Sequence, residues 1–385
     1  MNRGILYIDT PVHVGGAEQS LLTLISNLDP KRYHAELVTT MMSELVLQAQ
    51  IVHIPVHVQE FAWFSRRRPW RYWTSILNLS HTIRSNNIAL VHTNCDKSLP
   101  YAMVACRLTG VPLVAHVRDF VRSWFDGNRL KALKQAQLVV ANSKAIKEAS
   151  IAAGINRERI EVIYNPIDTL PFTQVETPAI KSLYKELGLP QDALIIGLVG
   201  QIDPIKGHEE FIEAAGPIVD QVPNAWFIVV GATYSDEQKF FERQLNDLVK
   251  NRNLQHRFLF TGYRRDIPVV MNLIDILIVP SWKEPFGRVV VEGLAAGCAV
   301  IGSDSGGIPE IIDHEISGLL VQPRNPEAIT TAVLKIVRGP DFTDQLIKNG
   351  RKRSLSFGVS QHLLKIQAIY DCVLGENLST PTMTL

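Results

Sequence analysis

One short stretch of the chain, between Pro280 and Glu292, combines the residue types that bind a sugar and a phosphate. An apolar run at 274–279 precedes it and predicts a buried strand, and a helical pattern begins near Gly287. Glu284 then lies in the loop, and Glu292 lies about a turn and a half into the helix. The first amides of a helix attract anions, and carboxylates accept hydrogen bonds from sugar hydroxyls. The spacing therefore predicts a ligand with both parts, such as a nucleotide sugar.

Two further loops have the glycines or the cation that phosphate binding uses. Gly15-Gly16 follows the first predicted strand and opens a helix, so the backbone could approach an anion closely, although a plain tight turn has the same pattern. Lys206 lies in a strand-to-helix loop that begins at Gly200, where a mobile cation suits a pyrophosphate and an ordinary surface lysine is the alternative. Neither loop has the Gly-x-Gly-x-x-Gly pattern of a dinucleotide fold, so NAD is not predicted.

A histidine and an arginine lie at the end of a predicted strand in the first half of the chain, in Ala115-His116-Val-Arg118-Asp119. Ligands of open α/β sheets gather at the carboxyl ends of the strands. His116 is therefore predicted either to hydrogen-bond a substrate or to be a buried structural histidine. Arg118 or Asp119 would bind an acceptor or orient the histidine.

An aromatic and arginine-rich segment occupies residues 61–73. Its basic and aromatic side chains could rest on an anionic membrane, stack on acceptor sugars or grip a lipid phosphate. The alternative is an irregular loop followed by the solvated start of a helix. The residues concerned are Arg66, Arg67, Arg68 and Trp70.

The elements that position these residues alternate between strand-like and helix-like segments, which predicts βα units and parallel sheets. A third strand is predicted near 51–55. The proline-containing stretch at 168–190 breaks the alternation and predicts a linker with a short helix inside it. The pattern restarts at 194, which indicates a second α/β domain, and an amphipathic helix is predicted at 360–373.

The composition favours a soluble globular protein of two domains: 385 residues, of which 46% are hydrophobic and 20% charged. A net charge of +1 does not indicate nucleic acid as a partner. Four widely spaced cysteines fit buried thiols in a reducing compartment better than disulfides or a zinc site. The first apolar run is too short for a signal peptide, and no stretch is long enough for a membrane span. We therefore expect a cytoplasmic protein, with peripheral attachment to the inner face of the membrane left open.

Four motifs resemble one family when they are taken together. They are the Glu284 and Glu292 pair with Pro-Phe-Gly between, the Gly-Gly-Ala-Glu at 15–18, the Gly-Gly-Ile-Pro-Glu ending at Glu310, and the segment from Gly200 to Gly207. Taken in their order along the chain, these motifs resemble those of the retaining GT-B glycosyltransferases of family four, also called glycosyl transferases group one. The resemblance extends over nearly the whole chain.

The resemblance implies a GT-B fold, with two Rossmann-like domains whose parallel sheets face an interdomain cleft. Residues 1–170 would form the acceptor-side domain, joined by a C-terminal helix at about 358–375. Residues 185–355 would form the domain that binds the nucleotide sugar.

The resemblance also implies roles for individual residues. His116 and Glu284 would act at the reacting sugar. The donor would be bound by Gly16, Gln201, Lys206, Arg288, Glu292 and the amides of Phe286 and Gly287. Gln201 stands where the family has an arginine, so one positive charge is missing from the expected diphosphate clamp. Arg288 is the residue expected to compensate.

The implied activity is hexosyl transfer with retention, from a UDP- or GDP-linked sugar to a glycan, lipid-linked or small-molecule acceptor, in polysaccharide biosynthesis. No metal and no cofactor are expected. One alternative is a nucleotide-sugar epimerase of the same fold, which would need paired acid and base carboxylates and no acceptor. Another is a non-catalytic nucleotide- or glycan-binding protein, for which Gln201 is the only hint. The donor sugar, the acceptor and the oligomeric state are left open.

Overall fold

The computed structural model describes residues 2–10, 14–121 and 127–375. The chain forms two compact units. Unit 1 contains the residues up to Pro166 together with those from Val359 onward, and unit 2 is Ile167–Gly358. Each unit is an α/β layer structure around one parallel sheet, as the alternation of elements predicts.

Within its described residues, unit 1 has a seven-stranded parallel sheet in the order β3-β2-β1-β4-β5-β6-β7. Its strands are β1 (Arg3–Ile8), β2 (Tyr33–Thr39), β3 (Val56–Val58), β4 (Ile88–Thr93), β5 (Leu113–Val117), β6 (Leu138–Ala141) and β7 (Ile160–Val162). The helices between them are α1 (Gly16–Ser26), α2 (Glu44–Ile51), α3 (Pro69–Ser85), α4 (Leu99–Thr109), α5 (Gly127–Gln135) and α6 (Lys144–Ala152).

Unit 2 has a six-stranded parallel sheet in the order β10-β9-β8-β11-β12-β13. Its strands are β8 (Leu194–Val199), β9 (Ala225–Val230), β10 (Phe258–Gly262), β11 (Ile276–Val279), β12 (Ala299–Ser303) and β13 (Leu319–Val321). Its helices are α7 (Leu170–Thr173), α8 (Thr177–Glu186), α9 (His208–Gln221), α10 (Asp236–Asn251), α11 (Ile267–Leu273), α12 (Arg288–Ala296), α13 (Pro326–Arg338) and α14 (Pro340–Ser354).

The sheet of unit 1 is buried on both faces, because successive side chains of a strand point to opposite sides. In β1, Leu6 and Ile8 pack in the same cluster as side chains of α3 and α4. Ile5 and Tyr7 pack in a second cluster with α1 and with the last helix of the chain, α15 (Val359–Val373). The C-terminal helix is thus part of the core of unit 1.

Polar contacts also hold α15 in unit 1. The Tyr370 hydroxyl lies 2.9 Å from the Tyr7 hydroxyl and 2.6 Å from His92 Nδ1. Asp371 accepts hydrogen bonds from Arg32 at 2.6 and 2.7 Å and from the Tyr33 hydroxyl at 2.5 Å. All of these groups except the arginine head are buried, so each of them needs the partner it has.

Three details differ from the sequence prediction. The strand predicted near 51–55 is wrong, because Ile51 ends helix α2 and the strand β3 begins only at Val56. The short, β-branched run around Ile51 has no period that separates a helix end from a strand. The predicted linker at 168–190 contains two helices, α7 and α8, where one short helix was predicted. All four cysteines are free thiols, but Cys372 is exposed and Cys95 half-buried, so only two are buried.

Among the described residues, each helix is either too short or too polar to traverse a bilayer.

Candidate active site

Both candidate sites lie where the strand order of a sheet reverses, which we call a switch point. In unit 1 the chain runs outward from β1 to β3 and then returns to place β4 on the other side of β1. In unit 2, β8 and β11 are related in the same way. The loops that leave two such strands diverge, and α/β proteins bind ligands at that point of the carboxyl edge. The predicted donor-binding residues of unit 2 follow β8 and β11.

The loop after β8 carries Lys206 and folds directly against the loop after β11. The Trp282 amide donates to the Ile205 carbonyl oxygen at 2.8 Å. Gly207 has a φ of 75°, and a Cβ atom there would lie 2.3 Å from the Pro280 carbonyl oxygen. Only glycine allows this approach and this backbone conformation together. Glycine is therefore required at position 207, and this close contact fixes the backbone next to Lys206.

Lys206 and Glu284 were predicted to bind different parts of a donor, and in the structure they form an ion pair. Lys206 Nζ lies 2.8 Å from Glu284 Oε2, and the Ser281 hydroxyl donates to the same oxygen at 3.0 Å. The lysine side chain is 30% exposed and the glutamate side chain 14%, so the pair is open to solvent on one side. A carboxylate accepts about four hydrogen bonds, so Glu284 can keep both partners and still accept from a sugar hydroxyl.

A third loop, after β12, wraps around the backbone of Glu284. The Gly307 amide donates to the Glu284 carbonyl oxygen at 2.8 Å. Gly306 has a φ of 64°, and a Cβ atom there would lie 2.0 Å from the same oxygen. The Ser305 hydroxyl donates to the Trp282 carbonyl oxygen at 2.8 Å. The Gly306-Gly307 pair therefore packs against the backbone of the residue that the sequence predicts to bind the sugar.

Helix α12 begins directly after the loop that follows β11 and carries the second carboxylate. Gly287 caps the helix with a φ of 106°, and the Phe286 side chain is buried edge-on against Phe357 at a ring distance of 5.8 Å. Arg288 Nη2 donates to Glu292 Oε1 at 3.2 Å, one helical turn away. Burial lowers the pKa of Arg288, and the charge of Glu292 opposes that effect. The arginine thus stays paired in a largely buried position.

Gln201 lies directly after the end of β8 and is half-buried. Its backbone neighbour Gly200 donates from its amide to the Val230 carbonyl oxygen at 2.9 Å. Whether Arg288 supplies the positive charge that Gln201 lacks stays a prediction, because that role concerns a bound diphosphate.

In unit 1, the polar side chains that follow four strands form one hydrogen-bonded chain. Asn94 donates to Asp9 Oδ2 at 2.6 Å and accepts from Arg118 Nε at 2.6 Å. Arg118 Nη1 then donates to Asn165 Oδ1 at 2.5 Å. Strands β1, β4 and β5 are neighbours, so the residues that follow them meet at one edge. These hydrogen bonds fix the guanidinium of Arg118 beside the switch point of unit 1.

Asp9 is the buried end of this chain. Its carboxyl group is 1% exposed, and burial followed by the charge of Glu18 raises its pKa to about 7, although Asn94 and Arg118 act in the opposite direction. Glu18 itself accepts a hydrogen bond from the Gly15 amide at 2.8 Å. The carboxylate therefore caps helix α1 from its third position. It occupies one of the two glycine amides that were predicted to face a phosphate, and Gly16 is the first residue of the helix.

His116 lies inside β5 and is 3% exposed. Its ring stacks on that of His92 with the centroids 5.5 Å apart, and neither ring nitrogen has a hydrogen-bond partner in the described part of the chain. Burial holds the pKa of His116 well below its usual value, and the charges of Arg118 and His92 act in the same direction. The imidazole is therefore neutral at physiological pH, with one donor and one acceptor nitrogen.

The structure brings some predicted residues together and not others. Lys206 with Glu284, and Arg288 with Glu292, are in contact. Arg66, Arg67, Arg68 and Trp70 are exposed on and before the first turn of α3, outside the hydrogen-bonded chain of Arg118. Sequence reasoning missed Asp9, Asn94 and Asn165, although each follows a strand closely. Within the described ranges, no group of three or more His, Cys, Asp or Glu is arranged to hold a metal ion.

Two family models match the chain. Residues 180–353 match the model for glycosyl transferases group 1, and residues 14–169 match the model for glycosyltransferase family 4. An uncharacterized glycosyltransferase of Methanocaldococcus jannaschii is 29% identical over 219 residues, which are 56% of this chain and 54% of that protein. The match thus spans about half the length of that relative. A UDP-Gal:alpha-D-GlcNAc-diphosphoundecaprenol alpha-1,3-galactosyltransferase of Escherichia coli is 26% identical over 317 residues, which are 77% of this chain and 78% of that protein.

Solved structures have the same fold. Anabaena HepE in complex with UDP and glucose matches with a TM-score of 0.86 at 25% identity, over 96% of this chain and 100% of HepE. A glycosyltransferase from Rickettsia africae has a TM-score of 0.85 over 97% of this chain and 99% of its own, but at 20% identity it supports the fold alone. With two parallel α/β units, matching solved structures and family models in both units, the chain belongs to the GT-B glycosyltransferases of group 1.

Proposed function

We propose that the protein is a retaining glycosyltransferase that moves a hexosyl group from a nucleoside-diphosphate sugar to a glycan, lipid-linked or small-molecule acceptor. The observation that carries this proposal is the pair of Lys206 and Glu284 at the switch point of unit 2. An ammonium group suits a phosphate, and an adjacent carboxylate suits sugar hydroxyls. A ligand in which a diphosphate is joined to a sugar satisfies both groups at once.

The rest of the donor would be held by α12 and the loop before it. Glu292 would accept hydrogen bonds from the ribose hydroxyls, and Arg288, which already contacts it, would add charge beside the diphosphate. The amides of Phe286 and Gly287 would bind the phosphate or the sugar, and Gln201 would complete the donor site of unit 2. HepE has been solved with UDP and with UDP-glucose, which favours a uridine nucleotide over a guanosine nucleotide.

The chemical step would depend on stabilising the leaving diphosphate. The bond between the anomeric carbon and the phosphate oxygen breaks, and the acceptor oxygen attacks from the same face. The acceptor proton passes to the leaving phosphate, so no protein base is assigned. Lys206 and Arg288 would meet the developing charge electrostatically, in place of a metal ion.

Unit 1 would supply the acceptor groups. Arg118 presents a guanidinium that Asn94 and Asn165 hold in place. His116, being neutral, would hydrogen-bond a hydroxyl without carrying a charge. The four free thiols fit a reducing compartment, so we place the reaction in the cytoplasm. The E. coli relative acts on a diphosphoundecaprenol-linked sugar, which favours a role in polysaccharide biosynthesis.

The test is a screen of UDP- and GDP-sugars with and without acceptors, followed by NMR of the anomeric product. We expect transfer with retained configuration, and Lys206→Ala should lower kcat by about 100- to 1000-fold, because one charged contact to the leaving group is lost. Lys250→Ala, which removes an exposed lysine of α10, is the matched control and should not change kcat.

Three outcomes would contradict the proposal. Conversion of a nucleotide sugar without any acceptor would indicate an epimerase. Binding without turnover would indicate a non-catalytic protein. Near-normal rates for Lys206→Ala would remove the phosphate role of that lysine.

A further inference from the structure

A group of large apolar side chains is exposed on one part of unit 1. Trp63, Phe64, Trp70, Trp73 and Leu77 have exposures of 59, 60, 59, 51 and 59%, respectively. Single exposed apolar residues are normal on a protein surface, but a contiguous group that includes three tryptophans marks an interaction site. We call the exposed side chains of residues 63–77 the aromatic surface.

Helix α3 explains why three of these side chains point the same way. Trp70, Trp73 and Leu77 are spaced by three and four residues, which places them on one helical face. Ile76 and Leu79, on another face, are completely buried in the core of unit 1. The helix is therefore apolar on the outside as well as on the inside, which packing within unit 1 does not require.

The charges of this segment all have one sign. Residues 61–77 contain four arginines and no aspartate or glutamate. Arg71 pairs with Glu60, which lies just before the segment. Arg66, Arg67 and Arg68 are exposed in the loop that leads into α3. A row of arginines beside tryptophans is complementary to a surface that is negative outside and apolar beneath.

The segment is held in place by aromatic contacts and hydrogen bonds. Phe61 stacks on Tyr101 with ring centroids 4.9 Å apart, and the Tyr101 hydroxyl donates to the Ala62 carbonyl oxygen at 2.9 Å. Arg129 lies over the ring of Trp63 at 5.1 Å and donates to Asp96 at 2.8 Å. A surface that is already ordered loses little conformational entropy on binding.

We propose that the aromatic surface docks unit 1 onto a bilayer that contains anionic phospholipids. The tryptophans would lie at the level of the headgroups, where indole rings are favoured, and the arginines would contact lipid phosphates. The one-sided charge favours a lipid surface over a folded protein, whose surface normally carries both signs. This docking is separate from the transfer reaction and does not depend on it.

The position of the aromatic surface has a consequence for the acceptor. Asp96 follows β4, two residues after Asn94. It accepts a hydrogen bond from Arg129, whose guanidinium lies over the ring of Trp63. The aromatic surface and the hydrogen-bonded chain of Arg118 thus share the carboxyl edge of β4. If the proposed function holds, a lipid-linked acceptor would reach Arg118 from the docked surface.

Vesicle sedimentation tests the docking with the full chain. We expect binding to mixed phosphatidylcholine and phosphatidylglycerol vesicles, weaker binding at high salt, and little binding to phosphatidylcholine alone. Changing Arg66, Arg67 and Arg68 to glutamine should weaken binding by about 100-fold, at about 1 kcal/mol per arginine. The same three changes to lysine keep the charge and should preserve most of the binding. The double variant Trp70→Ala, Trp73→Ala should also weaken it by tenfold or more.

Control variants separate docking from general surface effects. Tyr234→Ala with Phe240→Ala removes two exposed aromatic rings of unit 2 and should not change vesicle binding. Circular dichroism should show that each variant is folded, and a blue shift of tryptophan fluorescence with vesicles should be lost in the Trp70, Trp73 variant. Equal binding to neutral and anionic vesicles, or full binding by the glutamine variant, would overturn the proposal. Competition by a soluble glycan would instead identify a sugar-binding surface and would also overturn it.

Discussion

The two switch points are built from different materials. In unit 2 the site depends on backbone contacts, since Gly207 and Gly306 bring loops so close that a Cβ atom would overlap a carbonyl oxygen. In unit 1 it depends on side chains, since hydrogen bonds join the side chains of Asp9, Asn94 and Arg118. The same position in the same type of sheet therefore supports two kinds of construction.

The difference teaches where each site is sensitive. A site shaped by backbone contacts, as in unit 2, tolerates changes of its charged side chains but not of its glycines, because a Cβ atom at a glycine would clash with the neighbouring loop. The hydrogen-bonded side chains of unit 1 are sensitive to the loss of a partner, because a group left without one has already been removed from water. In unit 2, Lys206 is partly exposed to solvent. In unit 1, the hydrogen-bonded side chains enclose the carboxyl group of Asp9, whose pKa is about 7.

The largest effect should come from Gly306→Ala. The new methyl group would meet the Glu284 carbonyl oxygen at 2.0 Å, in a backbone conformation that alanine disfavours. We expect a loss of about 4 kcal/mol or more in the stability of unit 2, together with loss of donor binding. Gly110→Ala is the control, since its φ is similar at 76° but no atom of the described residues lies within 4 Å of the Cβ that alanine would add. It should cost only about 1–2 kcal/mol. Equal shifts in thermal midpoint for the two variants would show that the close contact is not required.

The next effect concerns Asp9 and the pH dependence of stability. This carboxyl group has a pKa of about 7 in the fold, compared with an ordinary pKa of 3.8 for a solvated aspartate. Between these values the folded state binds more protons than the unfolded state, so stability falls as pH rises from about 4 to about 7 and stays low above. Asp9→Asn removes that loss and should stabilise the protein at pH 8 by about 1–4 kcal/mol, with little gain near pH 4.

Thermal unfolding of parent and variant across this pH range measures the effect. Asp341→Asn removes an exposed carboxylate at the start of α14 and is the control for charge alone. A pH-independent difference between parent and Asp9→Asn would show that Asp9 does not titrate in this range.

The smallest effect should come from Asn94→Ala, which leaves Arg118 in the protein but removes one of the groups that orient it. If unit 1 binds the acceptor, the KM for the acceptor should rise by about tenfold, while the KM for the donor stays the same. Arg118→Lys should keep the charge and lose both oriented hydrogen bonds, with a similar or larger rise. Steady-state kinetics with both substrates varied distinguishes the two constants, and a change confined to the donor KM would reverse the assignment of the units.

The same comparison explains how much the sequence predicts. The parallel α/β organisation is confirmed, because apolar runs and helical periods are local signals. In unit 2 short motifs with required glycines predict which loops carry Lys206, Glu284 and Arg288, but the ion pairs of these residues are seen only in the structure. The roles of these residues toward a ligand stay predictions.

The site of unit 1 could not be predicted in the same way. Asp9, Asn94 and Asn165 are single residues on separate segments, and only the strand order places them together. Ordinary aspartates and asparagines after strands are also common in turns, so their type alone carries no signal. The contact of Glu18 with Gly15 could have been found, since a carboxylate three residues after a helix cap is a known pattern.

The path of the chain has a consequence for synthesis and engineering. Unit 2 interrupts unit 1, and its two ends are paired, since the Ile167 amide donates to the Phe357 carbonyl oxygen at 3.0 Å. A ribosome therefore completes all of unit 2 before it produces Tyr370, the partner of Tyr7. Unit 2 can fold as a continuous segment, while unit 1 must wait for its last helix. The adjacent ends also make unit 2 separable: a short linker between Ile167 and Gly358 would give a circularly permuted unit 2 without a long gap to close.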